Sequence, residues 1–212
     1  LIENSEVWRA FTFSQIMNLT ITDSALEKNM MEEYFIKIFD FWESNSIITI
    51  TNLTFVESTN IMSINTASFL SFVNTSSSII LKQVQFKNNN FSNSNLLYLN
   101  NNTHEIEINN SSILYNEAFD SQSTFFFFTR INNILLNITT FQNNNLNNIN
   151  RTGSTMLKLM TFNKVDLSTC DFIDNYAVST TTGLELNNLE QEQLFVPIII
   201  FNCSFINNLA NY

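Results

Sequence analysis

The sequence predicts an all-β chain, a parallel β-helix of about seven coils, on three observations. One apolar frame recurs at intervals of 27 to 34 residues. Within each copy the apolar residues alternate with a period of two, the strand periodicity rather than the helical one. The copies are joined by corners rich in Asn, Ser and Thr, in a chain with only two glycines and one proline.

The frame centres on a marker residue. Apolar residues sit seven and five positions before it, a small or apolar residue two before it, and asparagine three after it. The first copy is degenerate: marker Ile21 has only Ile16 and Leu19 ahead of it. Ala25–Phe35 then reads as a short helical insertion in an irregular first coil, residues 1–47. Phe55 follows Ile48, Ile50 and Leu53, with Ser58 where asparagine is expected. Phe86 follows Ile79, Leu81 and Val84 and precedes Asn89; Ile113 follows Ile106, Ile108 and Ser111 and precedes Asn116. Phe141 has Ile134, Leu136, Thr139 and Asn144, and Phe172 has Val165, Leu167, Cys170 and Asn175. Phe205 completes the series with Ile198, Ile200, Cys203 and Asn208.

Each step also holds a second apolar run: Phe69–Phe72, Leu96–Leu99, Phe125–Phe128, Met156–Leu159 and Leu184–Leu186. Three short strands per step of about 30 residues describe one coil of a solenoid, so residues 1–212 form a single β-helix segment. An antiparallel sandwich also has short alternating strands but does not predict one phase-locked pattern per step. A leucine-rich or helical solenoid requires a helical half-repeat. The chain begins with Leu1 and reads as an excerpt or processed product of a longer one.

Stacking coils about 4.8 Å apart turns each phase into a column. Phe55, Phe86, Phe141, Phe172 and Phe205 form a core aromatic ladder, with Ile21 and Ile113 in the same column. Each such burial stabilises by roughly 1.5–3 kcal/mol. Asn89, Asn116, Asn144, Asn175 and Asn208 form a second ladder, whose amides bond to neighbouring coils and satisfy corner groups that water cannot reach. The 36 asparagines are expected to supply left-handed corners in place of glycine. Cys170 and Cys203 share an inward phase on adjacent coils, where a disulfide and two stacked thiols are both open.

Charge narrows the functional classes. Net charge is −10 and only 13% of residues are charged, so the chain lacks the basic stripe that nucleic acid requires. It is repelled by anionic lipid, and no apolar run approaches the roughly 18–20 residues of a bilayer span. A structural zinc site takes four ligands, and His104 stands several coils from the cysteines, so no metal or cofactor is expected. Asp171 and Asp174 flank one coil without matching acids on its neighbours; Asp40 with Glu43 is equally unsupported. Arg130, Arg151 and Lys158 are isolated, and no catalytic set assembles.

Glycosylation triplets are dense. Asn18, Asn52, Asn110 and Asn202 are placed together, three before the marker, at an outward corner. These, with Asn74, Asn90, Asn101 and Asn150, are the candidates for N-linked glycans; Asn109 competes with Asn110, and Asn137 also begins a triplet. Strict alternation through TFFFFT points Phe125 and Phe127 outward, beside Leu96, Tyr98, Met156 and Phe69. That predicts either an apolar interaction patch or a face covered by another segment such as Asn187–Pro197.

The recurring F-x-x-N (Phe86–Asn89, Phe141–Asn144, Phe172–Asn175, Phe205–Asn208) resembles the repeat of polymorphic outer-membrane (Pmp-type) proteins. The resemblance covers roughly residues 48–212 and implies a right-handed parallel β-helix of the pectin-lyase-like kind, found on cell surfaces and often in adhesins. The companion Gly-Gly-Ala-Ile-like run of that family is absent; only Thr182-Gly183-Leu184 and Gly153-Ser154-Thr155 lie near it. The expectation is a glycosylated extracellular scaffold, part of a filament, coat or adhesive stalk. Its expected partners are further copies or other surface proteins, joined end to end or laterally. The alternatives are a binding module using its side face and, third, a carbohydrate-active enzyme.

Overall fold

The computed structural model describes residues 2–3, 6–15, 18–41, 46–61, 67–119, 123–147, 155–177, 183–187 and 196–210. Among these the chain is all strand, turn and bend, wound as a parallel β-solenoid of about six turns. Every strand pairing is parallel, between segments one repeat apart. The marker column runs Phe55–Phe86–Ile113–Phe141–Phe172–Phe205 in unbroken register. Two further inward columns are Ile48–Ile79–Ile106–Ile134–Val165–Ile198 and Ile50–Leu81–Ile108–Leu136–Leu167–Ile200.

The first coil departs from the expected frame. Leu26, not Ile21, pairs with Phe55, while Ile21 pairs with Ile50 and Asn18 with Ile47. The frame there is L-x-x-N, Leu26 to Asn29, and both residues are buried. Asn18 therefore does not share the phase of Asn52. The helix expected over Ala25–Phe35 is absent: the strands Asn18–Glu27 and Met30–Phe41 cover it. Helix-forming residues in this stretch lose to stacking, because propensity is a weak prior and an isolated helix this short is marginal in water.

Turns are made by single left-handed residues that themselves stack. Asp23, Asn52, Gln83, Asn110, Ile138, Thr169 and Asn202 all have φ between 48° and 54° and sit three before the marker. Lys28, Glu57, Asn88, Tyr115, Asn143, Asp174 and Asn207, two after it, form a second corner. Asn74, Asn101, Arg130 and Thr161 form a third. Among the described residues nine of the twenty left-handed non-glycine residues are asparagine, so asparagine does replace glycine. Stacking nonetheless imposes the conformation on whatever residue occupies the corner. Ile138 is the costliest tenant, β-branched at φ 51° and half exposed. A left-handed L-residue carries roughly 1–2 kcal/mol of strain, least for asparagine. Ile138→Asn is expected to raise stability by about 1 kcal/mol and Tm by roughly 2–4 °C; a lower Tm would contradict the corner geometry.

The core is a phenylalanine stack with one substitution in it. Phe55 lies parallel to Phe86 with centroids 5.0 Å apart; Phe141, Phe172 and Phe205 continue at 4.8 Å. Ile113 interrupts the rings, and Phe126 fills the space from the facing strand, edge-on to Phe86 at 5.9 Å and to Phe141 at 5.2 Å. Phe205 keeps its column but is 48% exposed, since no described coil packs on its outer face.

Candidate functional site

The asparagine ladder is the most organised polar feature of the molecule. Asn116 Nδ2 donates to the Phe86 carbonyl one coil back (2.9 Å) and to Asn144 Oδ1 one coil on (3.0 Å). Asn116 Oδ1 accepts from both the backbone N–H and Nδ2 of Asn89. Asn144 repeats the pattern with the Ile113 carbonyl and Asn175 Oδ1, and Asn175 with the Phe141 carbonyl and Asn208 Oδ1. Asn116, Asn144 and Asn175 thus each use both amide hydrogens and both oxygen lone pairs, which is the full capacity of the side chain. The marker-row carbonyls and corner N–H groups that the turn strips of strand partners are satisfied the same way. Asn89, Asn116, Asn144 and Asn175 are buried; Asn208, on the last described coil, is half-buried.

Ser58 shows what the column requires. Its Oγ accepts from the Asn29 N–H at 3.2 Å, and its backbone N–H donates to Asn89 Oδ1 at 3.0 Å. A hydroxyl takes over part of the amide's role, and the ladder extends back to Asn29. The same device operates two before the marker. Val84 N–H donates to Ser111 Oγ, and Cys170 N–H donates to Cys203 Sγ at 3.4 Å.

The cysteines stack as the sequence requires and are both free. Cys203 Sγ, besides accepting from Cys170, donates to the Leu167 carbonyl at 3.4 Å, and Cys170 Sγ donates to the Leu136 carbonyl at 3.6 Å. Burial pushes the Cys170 thiol up to about 12 from 9.0. Its protonated form therefore contributes stability that is whole below pH 9 and lost as pH rises toward 12. Cys203 is only half-buried. A maleimide at neutral pH is expected to modify Cys203 first and Cys170 only on unfolding, with an intact mass indifferent to reductant. Equal labelling rates, or a reductant-dependent mass, would contradict the arrangement.

The expected apolar patch is not on the surface. Phe69, Leu96, Phe125 and Met156 are fully buried and Tyr98 is 8% exposed. The reason is a corner at the head of each strand, where two successive residues point inward. The pairs are Phe35 with Ile36, Phe69 with Leu70, Leu96 with Leu97, Phe125 with Phe126, and Met156 with Leu157. The register reflects it: Asn95 pairs Thr124 and Leu97 pairs Phe126, with the residue between omitted. Phe69 meets Phe35, Phe55, Phe86 and Phe91 in the core. Alternation resumes beyond the corner, so of the six patch residues only Tyr98 and Phe127 face outward, 5.7 Å apart. Their column also carries Lys37, Ser71, and the ion pair of Lys158 with Glu185 at 3.0 Å.

Of the glycosylation candidates, Asn18, Asn52, Asn90, Asn110 and Asn202 are exposed. Asn74 and Asn101 are half-buried, and Asn101 Nδ2 donates to Asn74 Oδ1 at 3.1 Å. Asn150 and residues 188–195 of the Asn187–Pro197 stretch lie outside the described residues. Asp171 stands in register between Thr140 and Ser204, as the sequence places it. Among the described residues no three of His, Cys, Asp and Glu group to hold a metal, and no helix is long and apolar enough to cross a membrane. Comparison with protein-family models gives no match, and comparison with curated proteins gives none either.

Sequence reading missed Leu26 and Asn29, and also the polar steps at the other corners. Asn52 Nδ2 donates to Asp23 Oδ1 (2.8 Å) and Asn163 Nδ2 to Asn132 Oδ1 (2.8 Å). The available signal was spacing: the partners are 29 and 31 residues apart, one coil each.

Proposed function

We propose that the chain is a rigid segment of an extracellular structural protein, a β-solenoid building block of a filament, coat or adhesive stalk, and not an enzyme. The observation that carries this reading is the closed chemistry of the ladder. The buried side-chain amide hydrogens of Asn89, Asn116, Asn144 and Asn175 are all taken by neighbouring coils, which fixes coil on coil and leaves them no donor to offer a substrate. Such a stack is held along its axis by the hydrogen bonds between parallel strands of successive coils, and solenoid stability accrues from nearest-neighbour interfaces. The F-x-x-N frame, in a solenoid, also supports kinship with Pmp-type, pectin-lyase-like surface proteins, and with it placement outside the cell. Its partners are then further coils, from copies of itself or from other surface proteins. Electron microscopy of the native assembly tests the reading. Rods built along the coil axis are expected; dispersed single particles that turn over a polysaccharide would overturn it.

A further inference from the structure

We propose that the corner three residues before the marker is a glycan-bearing edge, with N-linked oligosaccharides on Asn52, Asn110 and Asn202. Three observations converge. All three residues are left-handed, at φ 54°, 48° and 51°, and all are exposed. Every asparagine in this corner column begins a triplet with a hydroxyl two residues on: Thr54, Ser112 and Ser204. At the second corner Asn88, Asn143 and Asn207 are equally left-handed, yet Asn90, Asn145 and Leu209 stand where the hydroxyl would be. At the third corner Asn74 and Asn101 also begin triplets, but both are half-buried and bonded to each other, so the first corner alone combines triplet and exposure in every asparagine.

The amides at the first corner are also chemically available. Asn52 Nδ2 spends one hydrogen on Asp23 Oδ1 and keeps the other. A polar groove of about 260 Å³ between Asn52 and Asn110, lined also by Thr54, Gln83, Gln85 and Ser112, gives the first sugar hydroxyl and amide partners. Asn109 differs: its Nδ2 bonds Glu107 and its Oδ1 is buried, so a sugar there has no room. In the transfer, Nδ2 attacks C1 of the reducing-end sugar of a polyprenyl-diphosphate-linked oligosaccharide. The C1–O bond breaks, the polyprenyl diphosphate leaves, and the displaced amide proton passes to the transferase base. The stack then sets glycans on one edge, about 10 Å apart from Asn52 to Asn110 and about 14 Å from Asn110 to Asn202.

The inference rests on the extracellular reading only for the native chain's meeting a transferase, so the test supplies its own secretion signal. The full chain is secreted from a eukaryotic host and each triplet is scored by peptide mass after enzymatic release of glycans. Asn52, Asn110 and Asn202 are expected to be occupied and Asn109 bare. Ser112→Ala, which leaves the Asn109 triplet intact, is expected to remove one glycan; Asn109→Gln is expected to remove none. Bare corner asparagines, or a glycan lost in Asn109→Gln and kept in Ser112→Ala, would overturn the proposal. Because the signal is supplied, that failure would leave the scaffold reading to its own test in the native assembly.

Discussion

Asn144→Ala is expected to destabilise the protein by about 3–5 kcal/mol and lower its Tm by roughly 10 °C. The substitution deletes four hydrogen bonds at once. It strands the Ile113 carbonyl and the Asn116 N–H in the buried corner, and an unmet buried group costs about 1–3 kcal/mol. Asn147→Ala, at an exposed position, is the control and should change stability by less than about 0.5 kcal/mol. Asn144→Ser should recover part of the loss, because Ser58 already fills this column with a hydroxyl. Thermal unfolding followed by circular dichroism measures all three. Equal Tm values for the Asn144 and Asn147 variants would contradict the ladder.

Phe126→Ala should cost about 3–5 kcal/mol, the range of a large cavity in a core that cannot collapse. The ring bridges Phe86 and Phe141 where Ile113 breaks the stack, so its loss opens both neighbours. Ile113→Phe alone should destabilise by about 1–3 kcal/mol through overpacking, since Phe126 already holds the space. Combined as Ile113→Phe with Phe126→Leu, the two changes should couple favourably, because one vacates what the other fills. Chemical denaturation of the parent, Ile113→Phe, Phe126→Leu and the double variant gives the coupling energy. Strict additivity would show that the two side chains do not share one space.

The marker column and the asparagine ladder were legible because both obey one spacing, and spacing is what sequence displays. Phe86, Phe141 and Phe172 with Asn89, Asn144 and Asn175 needed no knowledge of the turns between them. The first coil was not legible. Its frame residues, Leu26 and Asn29, lie in a stretch rich in helix formers, and only stacking on Phe55 and Ser58 selects the strand. The patch was misread for a different reason. Alternation with period two holds along a strand but not through the corner that precedes it. Phe125 is therefore inside beside Phe126, where strict alternation would have put it in water. The left-handed corners were half visible: asparagine advertises them at Asn52 and Asn110, whereas Ile138 and Tyr115 give no local sign.

The central claim is that residues one repeat apart are stacked one strand spacing apart. Thr49, Ile80, Glu107, Leu135, Asp166 and Ile199 form one outward-facing column in continuous register. Spin labels paired along this column and measured by pulsed electron resonance read the stacking directly. The predicted Cα separation grows by about 4.8 Å per coil, reaching about 19 Å from Thr49 to Asp166 and about 24 Å from Thr49 to Ile199. Distances that fail to increase in coil order would contradict the solenoid, and with it the ladder and the scaffold built on it.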